Sequence, residues 1–124
     1  MQVPILKQGP YLIATIQAAL TDSDILQLRD ALVRQVERHR ARGVIIDVTA
    51  LDVLDSFATG TLRDIAQMIR LRGAETVIVG IQPDVALAMT QMGLVLEGVT
   101  TTLDLEEALE YFHRKLRLQT VDRR

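Results

Sequence analysis

The sequence predicts an α/β domain built on a mostly parallel sheet with one antiparallel edge strand, in the order β-β-α-β-α-β-α-β-α. Three observations predict it. Short aliphatic and β-branched runs alternate with longer runs whose apolar residues recur every three to four positions, the pattern of strands joined by crossover helices. The first two β-rich runs are separated only by a short segment containing Gly9-Pro10, a turn signal that makes a hairpin at one edge. The chain has 124 residues, 48% of them hydrophobic, enough to bury a core of its own at the common size of one domain.

The elements follow in order. Val3 to Leu6 and Tyr11 to Ile16 form the opening hairpin. Thr21-Asp22-Ser23-Asp24 supplies N-cap candidates and first-turn acids for a helix with Ile25, Leu28, Leu32 and Val36 on one face. Gly43 is its natural stop. Val44-Ile45-Ile46-Asp47-Val48 is a continuous apolar run ending near an acid, as expected of a strand buried on both faces. Asp55-Ser56 can cap a second helix with Ala58, Leu62, Ile65 and Ile69 inward. Thr76 to Ile81 is the next strand, and Pro83 opens a short helix that Gly93 ends. Leu94 to Thr100 should hold a short strand centred on Leu96 or Val99. A last helix carries Leu105, Leu109, Phe112 and Leu116 on one face. One domain, 1–124, accounts for the chain, with 118–124 a frayed tail.

Composition excludes several functions. The chain has no cysteine, hence no disulfide and no thiolate metal site. A net charge of −2 and a pI near 5.6 give no global positive field for DNA or anionic lipid. Aromatics at 3%, with no Trp, leave no platform for stacking bases. The N-terminus lacks the features of a signal peptide, and no apolar run approaches the ~20 residues of a membrane helix, so the chain is expected to be soluble and cytoplasmic.

Ser56 is the strongest candidate for chemistry. A strand and a short connection deliver its hydroxyl to a helix N-terminus, beside free backbone N–H groups that favour a phosphate. The same residue type at the same place also serves as a plain N-cap. Asp47, Asp52 and Asp55 gather near the carboxyl end of the central strand, where ligands of open α/β sheets bind. They could hold Mg²⁺ or be turn and cap residues. A phospho-accepting receiver is disfavoured, because Ala18-Ala19 follows the early strand and no lysine stands at Gly80-Ile81-Gln82. His39 and His113 lie on helices among arginines, with no partner at metal-ligand spacing. No P-loop or dinucleotide-binding glycine motif is present. Arg38-His39-Arg40-Ala41-Arg42 reads as a helix C-terminal cluster. No catalytic group, metal or cofactor is implied, and an enzyme is not expected.

The run Val44-Ile45-Ile46-Asp47-Val48-Thr49, followed by Asp55-Ser56, resembles the STAS domain of anti-anti-sigma factors. Gly80-Ile81-Gln82-Pro83 with Val85-Ala86 is similar to the signature of the stressosome STAS proteins RsbR and RsbS. The opening Pro4-Ile5-Leu6-Lys7 and the replacement Asp55-Ser56-Phe57 point to the same branch. The resemblance runs from Pro4 to about Lys115, without the N-terminal sensor domain of RsbR proteins, which favours the RsbS type. It implies a scaffold and antagonist that sequesters an RsbT-like serine kinase. Phosphorylation of Ser56 releases that kinase, and an RsbX-like phosphatase resets the serine. It further implies kinase contacts through Asp47, Asp55, Phe57 and Thr59, homodimers, and a large assembly with an RsbR-like paralogue. Thr59 and Thr61 are the alternative acceptors. The rival reading is a direct anti-anti-sigma factor bound one-to-one to an anti-sigma kinase.

Overall fold

A computed structural model describes the backbone of residues 2–122 and the side chains of residues 2–117. Five strands, β1 (Ile5–Gln8), β2 (Tyr11–Thr15), β3 (Gly43–Asp47), β4 (Glu75–Val79) and β5 (Thr100–Thr102), lie side by side in chain order. β1 pairs antiparallel with β2 and every other pair is parallel. Four helices, α1 (Asp22–His39), α2 (Ser56–Arg70), α3 (Pro83–Gln91) and α4 (Leu105–Asp122), complete the predicted order.

The pleat of the sheet divides the core. Leu12, Ala14, Val44, Ile46 and Ile78 point to one face, where Leu28 and Leu32 of α1, Leu62, Ile65 and Ile69 of α2 and Val85 and Met89 of α3 cover them. The alternate residues Tyr11, Ile13, Ile45, Val77 and Val79 face α4, which meets them with Ala108 and Phe112. Strands covered on both faces explain why β2, β3 and β4 read as unbroken apolar runs. Leu105, expected on the inner face of α4, is exposed, and Leu109 and Leu116 are half-buried; Ala108 takes the inner position because it lets the helix approach the sheet closely.

Several boundaries differ from the sequence reading. β1 starts two residues later than expected, because Gly9 at φ +58° closes a tight turn that pairs Gln8 directly with Tyr11. α1 ends at His39 on a left-handed Arg40, not at Gly43. Gly43 opens β3 instead, and its missing side chain is where the Phe112 ring sits; a Cβ there would lie 2.6 Å from the ring. Phe112 stacks in turn on Tyr11 at 5.0 Å. The strand expected inside 94–100 lies at Thr100–Thr102. Gly98 at φ +74° breaks the extended path, and two α2 arginines take the carbonyls: Arg63 donates to Val95 at 3.3 Å and Arg70 to Gly98 at 2.9 Å. Leu94, Leu96 and Val99 therefore pack on the core from a loop. α4 is helical through Asp122; the side chains from 118 onward, and with them most of the expected frayed tail, lie outside the described residues.

Candidate functional site: the serine at the start of α2

β3 ends at Asp47, whose carboxylate folds the chain back at once. Its Oδ1 accepts from the Thr49 backbone N–H at 2.9 Å and the Thr49 hydroxyl at 2.6 Å. Leu51 and Leu54 are buried and anchor the connection. Asp55 then caps α2, its Oδ1 accepting from the Ala58 N–H at 2.8 Å. Ser56 follows as the first helical residue. The capping work expected of Ser56 therefore falls to Asp55, and the serine hydroxyl is exposed, with no hydrogen bond among the described residues. It stands at the positive end of a 15-residue helix.

The neighbouring strand end holds this loop in place. Gly80 sits at φ +79° and a side chain there would collide with the Thr49 hydroxyl. Two residues on, the Gln82 side-chain amide donates to the Thr49 carbonyl at 2.7 Å. The Gln82 side chain makes no capping bond, and α3 starts on Pro83, which has no N–H to cap. Thr49 is the residue that sequence reasoning missed. The available signal was the glycine and glutamine closing β4, which need a backbone neighbour close enough to explain them.

The predicted contact residues divide. Asp55 and Phe57 are exposed, whereas Asp47 is half-buried and occupied with Thr49. Thr59 is only 1% exposed and Thr61 is buried too, its hydroxyl donating to the Phe57 carbonyl at 2.9 Å. A contact through Thr59, or phosphate on either threonine, requires α2 to leave the core. Helical spacing sets Thr61, five positions after Ser56, on a different face; Thr59, three positions on, neighbours the serine along the helix and is buried by the packing around it. Among the described residues, Asp47, Asp52 and Asp55 do not converge as a metal site.

Around Ser56 the surface mixes apolar and acidic groups. Phe57 is 41% exposed and Val53 72%. Beside them a narrow cleft of about 120 Å³ runs between the β2–α1 and β3–α2 loops, lined by Ala19, Leu20, Leu51, Leu54 and Ala58. The segments 17–24, 48–58 and 80–86, connections together with the first turns of α1, α2 and α3, carry Asp22, Asp24, Asp52, Asp55 and Asp84 and no Lys, Arg or His. Such a surface can dock a cationic, apolar-tipped partner over one hydroxyl.

A five-stranded mixed sheet with one antiparallel edge pair and helices on both faces is the fold of an STAS domain. The family's profile matches residues 2–108, and the chain belongs to the STAS domain family. Within it the chain is similar to a serine-to-glutamate variant of RsbS from Moorella thermoacetica. That structure shares 36% identity, covers 93% of this chain and 97% of its own, and superposes with a TM-score of 0.80. A structure of the stressosome matches at 33% identity, 92% and 99% coverage and a TM-score of 0.75. The RsbT co-antagonist protein RsbRA of Bacillus subtilis is 30% identical over 73% of this chain, which spans 34% of that protein's length. At 14% identity, SpoIIAA shares the fold. Among the described residues no helix is long and apolar enough to cross a membrane.

Proposed function

We propose that this chain is a non-catalytic stressosome subunit of the RsbS type. It binds and sequesters an RsbT-like switch kinase over Ser56 and releases it when that serine is phosphorylated. The observation that carries the reading is the division of labour at the start of α2: Asp55 caps the helix, leaving the Ser56 hydroxyl exposed and uncommitted. The likeness to RsbS, to a stressosome structure and to an RsbT co-antagonist supports it.

Phosphate on Ser56 adds about −1.5 to −2 charges to a surface whose loops hold only acids. The helix N-terminus stabilises that charge by roughly 0.3–2 kcal/mol. Asp55 opposes it by about 1–4 kcal/mol, the range for like charges a few ångströms apart near a wet surface. The domain therefore stays folded. A kinase that closes over the site must desolvate the added charge, and each ~1.4 kcal/mol lost weakens its binding tenfold. The switch is electrostatic ejection of the partner, and an RsbX-like phosphatase reverses it.

Phe57, Met68 and Leu71, exposed along α2, leave apolar surface for association. The reading includes homodimers and a much larger particle with an RsbR-like paralogue. The test is reaction with the cognate kinase, followed by site mapping and sedimentation. Phosphate on Ser56, a retained kinase with Ser56→Ala, and a large particle with the paralogue are expected. Phosphate on Thr59 or Thr61 with Ser56 untouched refutes the site. A small one-to-one kinase complex, with no large particle, favours a direct anti-anti-sigma factor.

A further inference from the structure

The two edges of the sheet meet solvent differently. At β1 stand Pro4, just before the strand, and Lys7 within it, both exposed. A proline or a lysine on an edge discourages a further strand from adding there. β5, at the other edge, is Thr100–Thr102, β-branched throughout and with neither safeguard. Among the described residues no strand covers its outer side.

The flank around β5 carries almost no charge. Residues 85–103, from α3 through the following loop to the end of β5, hold one charged side chain, Glu97, in a chain that is 24% charged. α3 buries Val85 and Met89 and leaves Ala86, Leu87 and Ala88 exposed. Leu87, Met92, Val95 and Leu103 are each more than half exposed. The loop that carries Val95 is pinned from beneath by the Arg63 and Arg70 bonds to its carbonyls, so these side chains stand on a fixed frame. A surface already ordered loses little freedom on docking.

We propose that this flank is where a second copy of the chain docks, the two β5 strands antiparallel about a two-fold axis at Thr101. The proposal rests on the reading of the chain as an assembling subunit and names the surface that pairs. Across a two-fold axis each group meets its own twin, so a charge at the centre repels itself and an uncharged surface is self-complementary. The surface around Ser56, with five acids and no base, fails that condition. Along α2 the exposed Phe57 and Met68 are separated by Asp64, and Arg72 follows Leu71, so that row suits a different, oppositely charged partner. An isologous contact closes on two copies, and a particle larger than a dimer needs such a second surface. Thr101 lies opposite Ile78 in the register and shares its α3-side face, and it is the one exposed residue of β5. At the axis it would meet Thr101 of the second copy, a favourable cross-strand pair. Three residues of backbone pairing hold little alone; Leu87, Val95 and Leu103 add apolar burial around them. Glu97 is exposed and lies off the axis, before Gly98 turns the chain into β5.

The test is sedimentation equilibrium of the full chain at several concentrations, with Thr101→Lys, Thr101→Glu and an equimolar mixture of the two. The unsubstituted chain should form dimers. Either substitution sets like charges against each other across the axis and should weaken self-association about tenfold or more. The mixture pairs opposite charges and should recover it, a result that misfolded variants cannot give. Leu103→Asp should also weaken the dimer, and Met68→Asp should leave it intact. The proposal is overturned by a monomer at every concentration, by dimers that persist in both Thr101 variants, or by variants that stay monomeric when mixed. A dimer lost with Met68→Asp and kept with Thr101→Lys places the contact on α2 and overturns it too. Reaction of the same variants with the cognate RsbT-like kinase separates this proposal from the reading it rests on. Phosphate on Ser56 with an undisturbed dimer in the Thr101 variants refutes the β5 contact alone. A dimer lost and restored as described, with no phosphate on Ser56, upholds the contact and refutes the kinase reading.

Discussion

Gly80→Ala tests whether the β4–α3 turn positions the serine loop. The substitution places a side chain at φ +79°, and its Cβ would overlap the Thr49 hydroxyl and come within 2.9 Å of the Thr49 Cβ. The left-handed conformation alone costs about 1–2 kcal/mol for a non-glycine residue. To clear the overlap, Thr49 must move, which breaks its hydroxyl bond to the Asp47 carboxylate and the Gln82 bond to its carbonyl. A bond to a charged group is worth about 1.5–3 kcal/mol and a neutral one about 0.5–1.5. The sum is about 3–6 kcal/mol, a large part of the ~5–15 kcal/mol that holds a domain together. Urea denaturation of the two proteins measures it, with the midpoint falling and the slope unchanged. Thr49→Gly removes the colliding atoms, so the double variant should recover at least about 1 kcal/mol relative to additivity. A loss under ~1 kcal/mol, or strictly additive effects, refutes the argument that this glycine is required by the approach of Thr49.

Other outcomes follow from single contacts. Thr76 is buried in β4, and its hydroxyl has no partner among the described residues, so Thr76→Val should raise stability by about 1 kcal/mol, read as a higher melting temperature. Asp55→Ala should cost about 0.5–2 kcal/mol through loss of the Ala58 bond, while Asp55→Asn keeps most of it, both read by denaturation. The Glu75–Lys115 pair gives a two-sided pH profile. Glu75 has its pKa lowered in the fold, so its contribution is present above the unfolded value near 4.5 and is lost as pH falls through the folded one. Lys115 has its pKa raised, so its contribution is present below 10.5 and is lost as pH rises through the folded value. With side chains 32% and 40% exposed, the pair is worth no more than about 1 kcal/mol. Melting curves of Glu75→Gln should differ from wild type at neutral pH and converge with it in acid.

Local rules account for what the sequence determined by itself. The spacing of Ile25, Leu28, Leu32 and Val36 makes α1, the unbroken run Val44–Ile46 makes a strand covered on both faces, and Pro83 starts α3. These signals lie within a few residues, so they survive without knowledge of what packs where. The same holds for Asp55-Ser56 as a helix start. Neighbours remote in sequence decided the rest. Gly43 reads as a helix stop until Phe112, from α4, is seen to occupy the space its side chain would fill. The apolar run 94–99 reads as a strand until α2 arginines take its carbonyls and move the ladder to Thr100–Thr102. Which of the two adjacent residues caps α2, and so whether the serine hydroxyl is spent or free, turned on a rotation of one residue that propensity cannot register. Thr59 was legible as a helix residue, but its burial depended on which face of α2 the sheet required. The order of elements was written in local chemistry; the exposure of each group at the site came from contacts that exist only once the chain has closed on itself.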